Sequence, residues 1–216
     1  MKNKNNFLSN LSTASSPNVF FFIGRSGCGK GTQAKKLVED IQKADPERKL
    51  FYIETGDRFR EFVSGDSHSS RIAKEIMERS EAQPPFLAIW LWSNFLISNF
   101  TGDEHLVFDG TPRTLTETKA LDGAREFYNW SSPVVVHLKV SRAWAYDRLS
   151  GRGRKDDLRP GDIESRLDWF DRLVLPAIEY YQDNPNYRFL EINGEQSIEE
   201  VYQEILDSLS FVQKWQ

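Results

Sequence analysis

GRSGCGKGT, residues 24–32, is a glycine-rich run that closes on Lys30, Gly31 and Thr32. It follows directly on the apolar run VFFFI (19–23), and it opens a stretch in which Ala34, Leu37, Val38 and Ile41 recur at one-face helical spacing. A strand before and an amphipathic helix after are the context that turns such a run into a phosphate loop. Gly24, Gly27 and Gly29 permit positive φ and close backbone approach. The loop amides and the helix N-terminus then face phosphate oxygens. Gly27, Cys28, Gly29, Lys30, Gly31 and Thr32 are therefore the expected phosphate-binding set, with the Lys30 ammonium on the β- and γ-phosphates. The usual hydroxyl directly after the lysine is replaced by Gly31, and Thr32 carries it one place later.

Outward from this loop, four more runs rich in β-branched and aromatic residues read as strands: 50–53, 106–108, 134–140 and 187–192. Most are continuously apolar, as expected of strands covered on both faces. Helical patterns separate them, the last built on Ile198, Val201, Tyr202, Ile205 and Leu209. Strands alternating with helices predict an α/β fold: a three-layer P-loop architecture with a five-stranded parallel sheet and helices on both faces. Two stretches break the rhythm and read as insertions over the sheet edge. Residues 57–85 are mostly polar and helical, and residues 150–162 (SGRGRKDDLRPGD) are basic and glycine-rich.

At 216 residues the chain fits one domain with insertions. A net charge of −4 argues against a general nucleic-acid binder. The single cysteine excludes an internal disulfide framework and a multi-cysteine zinc site, so no zinc is expected. Residues 1–18, rich in Asn and Ser and without the apolar run of a secretory signal, are expected to be a disordered polar tail before a domain spanning 19–216. The apolar stretch 86–97 is too short to span a bilayer. A cytoplasmic chain that engages neither membrane nor nucleic acid is the expectation.

Five motifs, in order, resemble the adenylate kinase family. GKGTQ (29–33) has that family's phosphate-loop spelling, and ETGDRFR (54–60) looks like its TGD-x-x-R segment. The resemblance implies Thr55 on the acceptor base and Arg60 on the acceptor phosphate. It also makes 57–85 the insertion that binds the monophosphate, with Glu81, Ala82 and Gln83 at the substrate. VFDGTPRT (107–114) resembles DGFPRT. That implies Asp109 holding Mg2+ through water together with Thr32, Gly110, Thr111 and Pro112 beside the acceptor, and Arg113 on its phosphate, to which the planar guanidinium is suited. DRLSGRGRKDD (147–157) and the later Arg166 resemble the family's lid. Arg148, Arg152, Arg154 and Arg166 would then surround the phosphoryl in flight, Arg148 and Arg152 on the ATP side, Arg154 and Arg166 reaching the acceptor, with Asp156 and Asp157 orienting the arginines. EINGEQS (191–197) resembles the adenine-packing loop, with Gln196 at the contact. The implied reaction is transfer from MgATP to AMP, giving ADP, in a monomer whose partners are these nucleotides.

Three positions depart from the pattern. Thr111 replaces a phenylalanine. One residue separates Arg152 from Arg154, so the lid is very short. Less complete water exclusion is then expected unless neighbouring loops or a second subunit complete the cover. Glu117 stands where the family usually carries Gln; an ionised carboxylate only accepts, which would suit guanine, or in part cytosine, better than adenine. A kinase for GMP, CMP or UMP with Glu117 as base reader is therefore the first alternative, and a nucleotide-binding protein without turnover the second.

Overall fold

The computed structural model describes residues 6–9, 11, 16–153 and 159–211. Five parallel strands form one sheet in the order β2-β3-β1-β4-β5: β1 Val19–Gly24, β2 Leu50–Glu54, β3 His105–Asp109, β4 Val134–Lys139 and β5 Arg188–Asn193. Each strand lies within one residue of its expected bounds at either end. Side chains alternate along β1. Phe20 and Phe22 pack on one face with Leu37, Ile41, Val107, Val136 and Ile205, while Phe21 and Ile23 pack on the other with Leu106, Phe108, Trp92 and Tyr181. Both faces are covered, which is why the strand sequences show no polar alternation.

The chain leaves β1 for an outer strand and returns through β3 to its immediate neighbour, so the sheet has a switch point beside β1, where such sheets bind ligands. Register places Asp109 beside Phe22 on one side and Glu54 on the other, and Gly24 beside Leu138. The phosphate loop, Glu54 and Asp109 therefore emerge at one edge. Helix α2, Lys30–Ala44, starts there and buries Gln33, Ala34, Leu37 and Ile41.

The expected disordered tail is corrected for its described part. A short helix, α1 (Asn6–Ser9), places Phe7 in the core with Leu11 behind it, and the Phe7 ring meets Phe20 edge-on at 6.0 Å. Burying two such side chains contributes roughly 1.5–3 kcal/mol each, which favours seating α1 on the sheet.

The first insertion is helical: α3 (Thr55–Phe62), α4 (His68–Glu78) and α5 (Pro85–Asn99) enclose a small core of Phe59, Ala73, Leu87 and Ala88. Pro84 and Pro85 open α5, where a missing amide costs nothing. Helices α6 (Leu115–Phe127) and α7 (Arg142–Ser150) follow. Beyond 150–162, α8 (Asp162–Trp169) runs through a π-helical turn, Phe170–Val174, into α9 (Leu175–Gln182), and α10 (Ile198–Phe211) closes the fold. No helix among the described residues is long and apolar enough to cross a membrane.

Two core histidines give the fold a pH dependence. His105 accepts from the Asn18 amide at 2.9 Å, and His137 lies in β4 with Nδ1 3.6 Å from Glu191. Burial pushes both imidazoles down, His137 to about 4. A base with a depressed folded pKa contributes stability that is present above its unfolded pKa, about 6.5, and lost as pH falls toward the folded value. From pH 6.5 to 5, His137 alone should cost about 2 kcal/mol. Urea denaturation across that range should show this loss, and His137→Gln should flatten it. An unchanged slope in the variant would rule His137 out as the cause.

Candidate active site

The phosphate loop is shaped by close approach. Gly24 sits at φ 146°, where a Cβ would lie 2.5 Å from the Leu138 carbonyl oxygen of β4. The Lys30 ammonium donates to the carbonyls of Gly24 at 2.8 Å and Arg25 at 2.9 Å, and lies 3.7 Å from the buried Cys28 Sγ. Gly31 also has a steric reason: a Cβ there would stand 3.0 Å from Asp109 Oδ2, so a Ser or Thr directly after the lysine would crowd that carboxylate.

Asp109 ends β3, and its Oδ2 accepts from the Tyr52 hydroxyl at 2.7 Å. Burial, then the Asp109 charge, raises the Tyr52 hydroxyl far above its ordinary range, so it remains a donor. Glu54 is raised by burial first, and it pairs with Lys35 at 3.6 Å. Arg60, expected on the acceptor phosphate, reaches Glu54 at 3.3 Å and also Asp57, whose carboxyl that hydrogen bond holds below its usual range. These carboxylates hold the guanidinium at the cavity wall.

Arg113 Nε donates to the Gly110 carbonyl at 2.8 Å, and its guanidinium lies 5.8 Å from the Trp169 ring centre. Burial lowers the affinity of Arg113 for its proton, opposed by Glu117 and Asp109. Glu117 itself is buried: Oε2 accepts from the Arg113 amide at 3.2 Å and Oε1 from the Thr114 hydroxyl at 3.2 Å, while the Glu117 amide donates back to Thr114 Oγ1. This is a variant of the capping box on α6, with the carboxylate's return bond made to the Arg113 amide, one residue before the N-cap Thr114, and its T-x-x-E spelling stands in the sequence at 114–117. Thr55 and Thr111 are buried too, hydroxyl to hydroxyl, which accounts for threonine in place of phenylalanine at 111. Gln196 donates to the Asn193 carbonyl at 3.0 Å and Glu204 at 2.6 Å. Thr55, Thr111, Glu117 and Gln196, all expected at bound nucleotide, thus have their polar ends satisfied within the protein and do not line the central cavity; nor do the buried Cys28 and Pro112.

That cavity measures about 750 Å³. Gly27, Gly29, Lys30, Gly31, Thr32, Arg60, Glu81, Ala82, Gln83, Asp109, Gly110, Arg113, Arg148, Arg152 and Arg166 all line it, so most of the expected set converges on one space. Arg154, Asp156 and Asp157 lie outside the described residues. The Arg148 guanidinium packs over Trp144 at 5.2 Å, Glu81 pairs with Arg79 at 3.0 Å, and Gln83 donates to the Ala73 carbonyl at 2.7 Å. Tyr52 supports this site, and Lys35, Glu54, Phe59, Met77, Ser80 and Trp169 line its wall, without having been singled out in the sequence. Trp169 alone carried a signal, lying three residues after Arg166 and so on the same helical face.

The two insertions meet. Ser80 Oγ, buried after α4, donates to Asp162 Oδ1 at 2.5 Å, and Asp162 Oδ2 accepts from the Arg159 amide at 2.9 Å. Arg159 also donates to the Glu78 carbonyl. Among the described residues, the segment at 159–162 is thus joined to the end of α4.

Comparison with known proteins gives one consistent result. The family profile described as adenylate kinase matches residues 22–186. An adenylate kinase of Phenylobacterium zucineum is 34% identical over 188 residues, covering 85% of this chain and 93% of that protein. One from Azobacteroides pseudotrichonymphae is 30% identical over 191 residues, with coverages of 87% and 94%. One from Parabacteroides distasonis is 29% identical over 198 residues, with coverages of 90% and 98%.

Proposed function

Because the chain belongs to the adenylate kinase family, and is thereby a nucleoside monophosphate kinase, we propose that it transfers the γ-phosphoryl of ATP reversibly to AMP, giving two ADP, with the roles set out below. The observation that carries this reading is the convergence of Lys30, Arg113, Arg148, Arg152 and Arg166 on one cavity that also contains Asp109. Phosphoryl transfer needs positioning and charge stabilisation rather than a covalent protein intermediate, and cations fixed in advance around the reacting group supply both. Lys30 and the loop amides hold the ATP phosphates, Arg113 and Arg60 the acceptor phosphate, and Arg148, Arg152 and Arg166 the phosphoryl between them. By the family match Arg154 joins that set, with Asp156 and Asp157 orienting it. The enzyme is read as a monomer acting on free nucleotides in the cytoplasm.

Magnesium fits the donor set. The ion prefers to keep several waters and to bind through one or two carboxylates plus substrate phosphates. Asp109 and Thr32, which both line the cavity, offer that arrangement, and no cluster of three metal-ligating side chains occurs among the described residues. Asp109, through water, and Thr32 would hold it, and it would neutralise phosphate charge.

The test is a coupled assay with MgATP and AMP, CMP, UMP or GMP offered separately. ADP formation with AMP above the rest supports the proposal. A preference for another monophosphate would move it to a different acceptor, and no turnover with any would replace it by nucleotide binding alone.

Glu117 enters this reading as a helix cap. Its two oxygens are engaged by Arg113 and Thr114, so AMP preference does not depend on it. Glu117→Gln should therefore keep the acceptor ranking and shift the KM for AMP by less than about tenfold, the scale of one hydrogen bond. A switch in ranking would restore Glu117 as the base reader.

A further inference from the structure

Arg25, the second residue of the phosphate loop, has no part in the transfer as assigned above and does not line the cavity. Its side chain is nonetheless only 15% exposed and is held on two sides. Nη2 meets Asp171 Oδ1 at 2.6 Å, and the guanidinium carbon lies 4.4 Å from the centre of the Phe170 ring. Its backbone carbonyl accepts from the Lys30 ammonium at 2.9 Å. One residue thus holds Lys30 through its main chain and a distant helix through its side chain.

That helix matters for its position. Phe170 and Asp171 open the π-helical turn that follows α8, and α8 carries Arg166 and Trp169 to the cavity wall. Single π-helical turns are rare and occur often at functional sites. The turn is pinned by charge: Asp171 Oδ2 also meets Arg142 at 3.1 Å, and Arg142 reaches back to Asp168 at 2.6 Å. Burial alone would raise the Asp171 carboxyl, but the guanidinium of Arg25, then that of Arg142, more than offsets it and holds it below the usual carboxylate range. Arg142 lies on the surface at the start of α7, whereas Arg25 connects this charge cluster to the loop that carries Lys30.

We propose that Arg25 is a positioning residue: its contact with Asp171 and Phe170 sets where α8 presents Arg166 opposite Lys30, so that cations from two separate segments close on the same phosphoryl group. The inference rests on the phosphoryl-transfer reading. It assigns Arg25 no contact with substrate, so its loss should act on the transfer step and through Arg166.

The experiment is a double-mutant cycle on the full chain with AMP as acceptor. Arg25→Met and Asp171→Asn should each lower kcat by about 10- to 100-fold, the scale of a displacement of about 1 Å in an active site. The KM values for ATP and AMP should stay near wild type, a split that general loosening of the fold would not give. In an Arg166→Met background, adding Arg25→Met should cost little more, because the group it positions is gone. Arg25→Lys, which keeps a charge, should recover part of the loss. Equal losses in both backgrounds, or Arg25→Met at wild-type kcat, would overturn the inference and leave Arg25 a stabilising residue alone. Wild type inactive with every acceptor would remove the kinase reading and this inference with it, whereas an active wild type isolates a failure of the Arg25 tie.

Discussion

Replacing Lys30 by methionine is expected to lower AMP-dependent ADP formation by about 10²–10³-fold, roughly 2.7–4 kcal/mol of transition-state stabilisation. Methionine keeps most of the apolar stem and removes only the charge, so the loss reads the ammonium itself. Lys30 sits at the first position of α2, with its ammonium bridging the carbonyls of Gly24 and Arg25. Neither contact lies in the core, and the apolar residues that seat the helix, Ala34, Leu37 and Ile41, are untouched. The melting temperature should therefore move little while kcat collapses. Lys30→Arg should fall much closer to the methionine variant than to wild type. A longer planar fork does not fit a niche formed by two loop carbonyls, and the two cations are not interchangeable where geometry is tight. Steady-state rates alongside thermal unfolding check both statements. A methionine variant within a few-fold of wild type would remove Lys30 from the chemistry and favour a cavity that binds without catalysing.

The parts of this site that were legible in the sequence are those whose physics is local. A glycine-rich loop between an apolar run and an amphipathic helix carries its own context within about 25 residues, and the five strands announced themselves by β-branched and aromatic runs. Contacts distant in sequence were not legible. Thr55 and Thr111 are 56 residues apart, and as single residues each reads as a binding group; only the fold puts the two hydroxyls against one another. Ser80 and Asp162 are 82 apart, and nothing in either neighbourhood marks them as partners. Phe7 and Leu11 failed for a different reason: with Leu8 they make only one turn of helical spacing among Asn and Ser, too short to stand out, so the segment reads as solvated although both side chains are core. Glu117 is the instructive case. The capping-box spelling was present at 114–117, but a carboxylate four residues after an arginine expected at the acceptor phosphate drew a functional reading. Its burial and its two donors decide for the cap.

The second large effect is expected at Arg113. Hydrogen bonds to a charged group contribute about 1.5–3 kcal/mol. Arg113→Met should therefore cost on the order of 10- to 100-fold in kcat/KM for AMP while leaving the KM for ATP near wild type. Arg113→Lys should recover part of this by keeping the charge without the two-pronged geometry. The variant should also change how stability responds to pH. Burial already raises the Glu117 carboxyl, and Arg113 is the first influence opposing it. Without that guanidinium the carboxyl rises further. A carboxyl whose folded pKa exceeds its unfolded value binds its proton more tightly when folded, so stability is highest at low pH and is lost as pH climbs through the interval between the two. Arg113→Met should thus lose more stability between pH 5 and 8 than Arg113→Lys does, and adding Glu117→Gln should remove the difference. If the methionine variant weakens AMP and ATP use alike, Arg113 does not belong to the acceptor side. If its pH response survives Glu117→Gln, the charge that Arg113 offsets lies elsewhere, and Asp109 at the end of β3 is the next group to replace.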